Sequence, residues 1–259
     1  MKIILSRKGW DSASGGKPNI IADGTNEMIM LPIPDSVHGT CTYADLALGG
    51  YCRGKVGAND KCHPDPNLTN LFKRKGFIGS LGQVRAAQTH LQNHGISIGD
   101  IFIFFGWFEQ KHVMFGYLQI GEMVYPQRLS ADEIKAYEAK YPWLKDQPHW
   151  DFSGDNYKPG CNNCIYIAAE KLSFAPDLKG YGTFTYSPAL DLTKPGAKSR
   201  MEWSIPVLGG LGISRPKDAK IAQDGTFIVP PTFGQEFVLE NNDKATNWAK
   251  NIITANAKQ

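Results

Sequence analysis

The sequence predicts an α+β fold built round a mixed or barrel-like sheet with a few short helices. Two observations lead to this class. Short apolar runs bounded by turn residues outnumber the amphipathic helical segments. The helical segments also fall between groups of strands instead of alternating with single strands, which is typical of α+β domains. No repeat, low-complexity tract or linker divides the chain, so we expect residues 1–259 to form a single domain.

The first 75 residues are predicted to be rich in loops. The apolar run at residues 3–5 predicts the first strand, which breaks into a basic, hydroxyl-rich and glycine-rich loop. A second apolar stretch at residues 28–31 ends at Pro32, because proline cannot donate to a strand ladder.

The clearest helix signal begins at Ser80. Ser80 and Gln83 fit a capping box, and leucine, valine and alanine then recur at helical spacing to Leu91. His94-Gly95 predicts the end of this helix, since glycine is favoured in the left-handed conformation that follows a helix.

Strands are predicted next. Residues 101–105 (IFIFF) are apolar on both faces and predict a buried strand. Residues 113–120 predict a second strand, and Gly121-Glu122 could turn the chain into a third at residues 123–125.

The last part of the chain is predicted to contain two helices and several strands. Ser130 to Glu133 form another capping box, which predicts a short helix ended by Pro142. Ala245, Trp248 and Ile252 predict a closing helix. The predicted strands are residues 164–168, 182–186, 227–229 and 235–239.

Composition is that of a folded globular protein. The chain is 42% hydrophobic and 20% charged, which excludes a disordered chain. No apolar run approaches the roughly 18 residues of a membrane span, and the first residues lack the features of a signal peptide. We therefore expect a cytoplasmic protein with no membrane partner. The net charge of +3 permits contact with nucleic acid, and an odd count of 5 cysteines does not indicate a disulfide framework.

Several blocks of the chain together resemble one known family. The blocks are IILSRKGWDSASGG (3–16), LPIPD (31–35), CHPDP (62–66), GQVRAAQTHL (82–91), GDIFIFFGWF (99–108) and NNCIYIA (162–168). In this order they resemble nucleotide modification associated domain 3, a family of bacteria and their phages. The resemblance implies a partner of enzymes that make or handle modified bases, and it supplies no reaction. The chain also places a predicted helix, then Gly-Asp, and then a series of predicted strands in an order that resembles PUA-like domains. Those domains include readers of modified bases.

The loop after the first strand is a candidate anion site. Arg7 offers a planar set of donors that suits phosphate, and Lys8 offers a point charge. Ser6, Asp11 and Ser12 add polar groups, and the neighbouring glycines would let backbone N–H groups approach an anion. The spacing matches neither a Walker loop nor a dinucleotide fingerprint. A plain solvated turn is the alternative.

The segment Cys62-His63-Pro64-Asp65-Pro66 is a candidate catalytic segment. His63 and Asp65 are candidate acids or bases, and we also assign Asp11 to the catalytic set. Cys62 could be a nucleophile if a base lowered its pKa. The alternative is a proline-bounded turn in which Asp65 caps the backbone.

Cys161 and Cys164 enclose two asparagines in a CxxC segment. With Cys62 and His63 these cysteines could bind zinc, but an isolated CxxC is weak evidence for such a site. We therefore assign no metal site. Asn162 and Asn163 are candidate ligand-binding residues, because side-chain amides can read base edges; the alternative is a turn.

Four further residues complete the candidate set. Gln83, Gln88 and His90 are polar residues of the predicted helix, and His90 lies four residues from His94, a spacing that would allow a shared metal or a pH-sensitive pair. Trp107 ends an aromatic cluster and could stack on a base. Its neighbours at positions 104 and 105 are better explained as core.

Three functions remain open from the sequence. The first is an enzyme of nucleotide or nucleic-acid modification that binds phosphate through Arg7 and Lys8 and uses His63 or Asp65 as acid or base. The second is a noncatalytic PUA-like reader of bases in DNA or RNA, and the third is a scaffold for a modifying enzyme. We favour the enzyme. The expected partners are a nucleotide or nucleic acid and a modifying enzyme, and no motif identifies a cofactor.

Overall fold

The computed structural model describes residues 1–152, 161–204, 220–223, 226–228, 236–239 and 243–258. Its centre is a seven-stranded sheet whose strands we label in chain order. They are β1 (Ile3–Arg7), β2 (Ser80–Gln83), β3 (Ile101–Phe108), β4 (Lys111–Val124), β5 (Cys164–Ala168), β6 (Tyr181–Thr183) and β7 (Glu236–Leu239). The helices are α1 (Arg85–Asn93), α2 (Ala131–Lys140) and α3 (Asp243–Asn256).

The predicted α+β class with a mixed sheet is confirmed. The strand order is β7-β1-β3-β4-β5-β2, and β6 pairs with β4. β1 and β3 run parallel, with Ile3 opposite Ile101, and the other pairs are antiparallel. Among the described residues the sheet does not close into a barrel, because the ladder joins no residue of β7 to β2.

The two end strands nevertheless meet through side chains. Gln83 at the end of β2 donates from Nε2 to Oε1 of Glu236 at the start of β7, at 2.7 Å. The sheet is therefore curled, and a hydrogen bond between side chains crosses the gap that a closed barrel would fill with backbone pairing. We call this gap the seam.

Smaller strands and turns surround the sheet. The short strands are Ile20–Ile21 with Met28–Ile29; Ile33–Pro34, Lys61–His63 and Cys41–Thr42; Lys171–Leu172 with Ala175–Lys179; and Glu202–Trp203, Phe227–Ile228 and Lys220–Ile221. Single 3-10 turns occupy Gly49–Tyr51, Pro126–Arg128, Pro142–Asp146 and Pro188–Leu190.

Three apolar clusters hold these elements together. The largest lies between the central sheet and α3, which buries Ala245, Ala249 and Ile253 at helical spacing. The second packs α2 and the 3-10 turn at Pro142–Asp146 against β5. The third surrounds Trp10 beneath the opening loop. No helix in the described part of the chain is both long enough and apolar enough to span a bilayer.

Several element predictions are confirmed. The helix that opens at Ser130 has a complete capping box, and His94 and Gly95 end α1, with Gly95 at a φ of 59°. The closing helix is α3. The strands predicted at 164–168, 227–229 and 235–239 are present at Cys164–Ala168, Phe227–Ile228 and Glu236–Leu239, and positions 229 and 235 lie outside the described residues. The apolar stretch at 28–31 and the strand predicted at 182–186 are shorter, at Met28–Ile29 and Tyr181–Thr183.

The predicted capping box at Ser80 is wrong. Ser80 and Gln83 begin and end strand β2, which pairs with β5, and α1 begins two residues later at Arg85. The Ser80 hydroxyl is buried and accepts a hydrogen bond from Gln147 at 3.1 Å. Strand pairing with β5 therefore overrides the local helix signal.

The predicted turn at Gly121-Glu122 is also wrong. Strand β4 is 14 residues long and runs through both positions without a turn. Its pairing with β5 shifts register at Gly121. A Cβ on Gly121 would lie 2.7 Å from the backbone of Ala169, so this glycine allows the close approach of a β-bulge.

Replacing Ser130 by alanine should weaken the attachment of α2. Ser130 Oγ accepts from the Glu133 N–H at 3.3 Å, and Glu133 Oε2 accepts from the Ser130 N–H at 2.7 Å. Loss of such a cap costs about 0.5–2 kcal/mol, which urea unfolding would measure. Ser130→Thr keeps the hydroxyl and is the control; equal stability of Ser130→Ala and the parent chain would contradict the assignment.

Replacing Gly82 by alanine should be more damaging. A Cβ at this position would lie 2.1 Å from Cδ2 of His149, which packs against β2. The imidazole must then move, and overpacking of this kind lowers the free energy of unfolding by about 1–3 kcal/mol. At Gly50 an added Cβ meets nothing within 4 Å, so Gly50→Ala is expected to change stability by less than about 0.5 kcal/mol. Unfolding curves that coincide for the two variants would refute the close contact.

Candidate functional site

The candidate site is a pocket of about 280 Å³ at the seam. It lies where the end of β1, the end of β2 and the segment that follows the short strand Lys61–His63 come together. The lining residues are Arg7, Lys8, Gly9, Asp11, Ala13, Ser14, Ile33, His63, Asp65, Gly82, Gln83, Val84 and His149. Arg7, Lys8, Asp11, His63, Asp65 and Gln83, which the sequence singled out, therefore share one cavity.

Asp11 holds the opening loop in shape. Its Oδ1 accepts from the N–H groups of Ala13 and Ser14 at 2.8 and 2.7 Å, and its Oδ2 accepts from Arg7 Nη2 at 2.6 Å. These contacts bind Asp11 to its own loop and to the end of β1, which favours a positioning role over acid or base chemistry. Gly15 packs on Trp10, since a Cβ there would lie 2.4 Å from the indole.

Glu236 anchors the wall formed by β1 and β2. Its Oε1 accepts from Lys8 Nζ at 3.1 Å, from Ser6 Oγ at 3.3 Å and from Gln83 Nε2 at 2.7 Å. The Glu236 side chain is only 1% exposed. Ser6 is fully buried, so it supports the wall through Glu236. Lys8 and Gln83 reach the cavity surface as well.

Ser12 and Trp107 lie beside the pocket, next to an arginine that sequence reasoning missed. Arg200 Nη2 donates to Ser12 Oγ at 3.3 Å, and its guanidinium lies 4.3 Å from the centre of the Trp107 ring. Trp107 Nε1 donates to the Glu109 carbonyl at 2.6 Å. Burial lowers the pKa of Arg200, the positive charge of Arg7 lowers it further, and Asp11 raises it.

Two histidines and an aspartate form the floor of the pocket. His63, Asp65 and His149 each present a potential metal-ligand atom, and these atoms all lie within 4.8 Å of one another. His149 Nε2 is 4.0 Å from Asp65 Oδ2, and the two imidazole rings are perpendicular with centres 5.3 Å apart. This is the group in the structure best placed to do chemistry or to hold a metal.

Asp65 and His149 are held by buried contacts. Asp65 Oδ1 accepts from the Gly82 N–H at 2.8 Å and from Gln147 Nε2 at 3.0 Å. The segment that carries His149 follows the 3-10 turn at Pro142–Asp146 and is fixed by the second apolar cluster, which includes Trp150.

Burial keeps both imidazoles neutral near physiological pH. It lowers the pKa of His63 to about 4; His149 adds to this effect and Asp65 opposes it. Burial likewise lowers the pKa of His149, against the opposing influence of Asp65. Neutral imidazoles can accept a proton or bind a metal ion.

The two asparagines have different structural tasks. Asn162 Oδ1 accepts from the Arg85 N–H at 2.7 Å, and its Nδ2 donates to the Arg85 carbonyl at 2.9 Å. Asn162 thus caps α1 in place of Ser80. Asn163 is buried, and its Oδ1 lies 2.7 Å from His149 Nδ1. Neither asparagine lines the cavity, and both act on elements that do.

Gln88 and His90 lie on α1 away from the pocket lining. Gln88 is fully buried, and its Oε1 accepts from the Tyr166 hydroxyl at 2.8 Å. The rings of His90 and His94 are neighbours, with centres 4.4 Å apart. A direct role for either residue in this pocket is not supported by their positions.

The cysteines are not arranged as a zinc site. Among the described residues, only His63, Asp65 and His149 form a group of three or more potential metal ligands drawn from His, Cys, Asp and Glu. Cys62 instead faces Cys41, with 3.8 Å between the two sulfurs. Hydrogen bonding to the Cys41 thiol and burial both raise the pKa of Cys62, which disfavours Cys62 as a nucleophile.

Sequence reasoning missed His149, Glu236 and Arg200. One signal was present for His149: of the 6 histidines, only His63 and His149 adjoin a proline, and the restricted backbone beside proline suits a fixed side chain. Glu236 and Arg200 had no comparable signal, because their partners lie on the opening loop and β1, far away in the chain.

Three other cavities are larger, with volumes of about 410, 430 and 570 Å³. The cavity of about 430 Å³ lies between the opening loop and residues 54–56. The other two share Leu68, Thr183 and Lys258, and the larger part of their surface is apolar. Lys258 is paired with Glu27 at 2.7 Å. We place the site at the smaller cavity because the buried titratable groups converge there.

Comparison with known proteins identifies the family. No curated protein and no solved structure matches the chain. The model of one protein family, nucleotide modification associated domain 3, matches residues 2–216 of the 259. The matched range contains the opening loop, β2 and all three residues of the pocket floor. The chain therefore belongs to the nucleotide modification associated domain 3 family.

Proposed function

We propose that this protein is an enzyme of a nucleotide or nucleic-acid modification pathway, and that the seam pocket binds its substrate through a phosphate group. One observation carries the proposal. A single cavity brings the cationic side chains of Arg7 and Lys8 together with the clustered side chains of His63, Asp65 and His149. Membership of a family named for association with nucleotide modification supports the choice of substrate class.

The cations of the pocket suit a phosphate. Arg7 engages Asp11 through Nη2, whereas a guanidinium has five N–H donors in all. Arg7 also raises the cost of charging Arg200, whose pKa it lowers in addition to the effect of burial. A phosphate close to both guanidinium groups would relieve this repulsion while accepting the remaining hydrogen bonds.

The floor of the pocket favours an enzyme over a reader. A reader needs an accessible aromatic face for a base, and in this structure Arg200 lies over the Trp107 ring. An enzyme needs oriented groups that can hold or transfer a proton or bind an activating ion. Asp65 and His149 are each fixed by hydrogen bonds beside the cavity.

Binding of a nucleotide should depend on Arg7. We expect nucleoside mono-, di- or triphosphates, or short DNA or RNA strands, to raise the melting temperature of the protein, because a ligand of the native state stabilises it by mass action. Arg7→Ala should abolish the shift. Arg74→Ala is a matched control: Arg74 also pairs with an aspartate, Asp146 at 2.6 Å, outside the seam pocket.

The same samples test for an enzyme. Mass spectrometry of the recovered nucleotide or strand should show a product with the parent chain and none with Arg7→Ala. Binding without any product under every condition would favour the reader. Equal shifts for Arg7→Ala and Arg74→Ala, or no shift with any of the nucleotides and strands, would overturn the assignment of this pocket.

A further inference from the structure

The hydrogen bonds around His149 determine which of its nitrogens faces the pocket floor. Asn163 Nδ2 donates to the His149 carbonyl at 2.8 Å and to Gln127 Oε1 at 3.1 Å. The amide oxygen of Asn163 is therefore the atom that lies 2.7 Å from His149 Nδ1, and an oxygen there can only accept. His149 Nδ1 carries the proton, and in the neutral ring Nε2 presents a lone pair.

Nε2 of His149 lies close to a carboxylate. Both hydrogen bonds to Asp65 described above fall on Oδ1, and Oδ2 is the oxygen that lies 4.0 Å from His149 Nε2. This separation is too long for a hydrogen bond. An imidazole nitrogen and a carboxylate oxygen this close together in a buried site form an arrangement that a cation stabilises.

His63 supplies a third donor from a different part of the chain. It ends the short strand Lys61–His63 and pairs there with Ile33. Its ligand atom, like those of Asp65 and His149, lies within 4.8 Å of the other two. Metal–ligand bonds of about 2.0–2.2 Å place ligand atoms closer together than this, so the three ligand atoms must move closer together when an ion binds.

We propose that His63, Asp65 and His149 bind one divalent transition-metal ion, such as Zn²⁺ or Fe²⁺. Two imidazoles and one carboxylate are the donor set that such ions prefer, whereas Mg²⁺ and Ca²⁺ prefer sets made of oxygen atoms alone. Three protein ligands also leave an open position, as in catalytic metal sites. The hydrogen bond from His149 Nδ1 to Asn163 is the outer contact that orients a metal-binding histidine.

The surroundings suit a bound cation that acts on a substrate. Lys8 lines the same cavity, and its pairing with Glu236 at 3.1 Å reduces its repulsion of the ion. All three ligand residues line the same cavity as Arg7. This last step rests on the proposed function: the ion would activate a water molecule or polarise a phosphate held in the same pocket.

Metal binding can be measured without any nucleotide. Protein stripped with a chelator is loaded with Zn²⁺, dialysed and analysed by elemental mass spectrometry, and a parallel sample is titrated with Co²⁺ and followed by its visible absorption. The parent chain should hold about one ion per molecule, as a single site of this kind requires. Asp65→Asn keeps the Oδ1 acceptor for Gly82 and Gln147 but removes the charge, and it should lose the ion.

Three further variants make the test specific. His63→Gln should also lose the ion, and it serves if Asp65→Asn fails to fold. Asn163→Leu removes the contact that orients His149 and should weaken binding about 10- to 100-fold. His94→Ala is the control, because His94 lies beside His90 on α1 and should leave the stoichiometry unchanged.

The outcomes separate this inference from the proposed function. The metal site is overturned if the folded parent chain holds no stoichiometric metal, or if Asp65→Asn and His63→Gln hold as much metal as the parent chain; nucleotide binding keeps its own assay. Loss of the ion in His94→Ala alone would place the metal on α1 and overturn the inference equally. Stoichiometric metal, together with no rise in melting temperature on adding any nucleotide or strand, would uphold the metal site and refute the phosphate pocket.

Discussion

The buried carboxylate of Glu236 is the contact on which the seam depends. It receives hydrogen bonds from Ser6 and Lys8 of the opening segment and from Gln83 of β2, all on one oxygen. A carboxylate that is 1% exposed is costly to bury unless it is paired and hydrogen-bonded. Removing one partner of such a pair leaves a buried charge without compensation. In the described part of the chain, the two end strands of the sheet are thereby held together without a shared backbone ladder.

Joining the two ends places the functional groups. β1 delivers the cations at its carboxyl end, and β2 delivers the Gly82 N–H that holds Asp65. The absence of a side chain at Gly82 lets His149 lie against β2. The cationic wall and the buried cluster thus share a cavity because the sheet curls, although no local motif brings them together.

Local signals predicted local structure, and long-range pairing decided the rest. The Ser130 capping box involves residues three positions apart, so its sequence was enough to predict it. An equally good pattern at Ser80 failed, because the same residues pair with β5 more than 80 positions away. The break predicted at Gly121 became a bulge for the same reason, since β4 gains partners on both sides of that glycine.

The candidate site followed the same division. Arg7, Lys8, His63 and Asp65 were singled out because polar residues in loop-like segments stand out in the sequence, and Gln83 was singled out as a polar residue of a predicted helix. All five line one pocket. His149 and Glu236 complete the site from segments that read as ordinary turn and strand. No spacing rule links them to their partners, because their proximity results from the folded sheet.

The dipeptide Asn162-Asn163 restricts the length of the segment that leads into β5. The first amide caps α1, and the second orients His149. Deleting either residue would leave one asparagine for two tasks, so that the helix would lose its cap or the imidazole its anchor. Insertions and deletions are usually well tolerated in connecting segments. Here they should be selected against as strongly as substitutions in the pocket, which gives this short stretch an evolutionary rigidity that neither residue would impose alone.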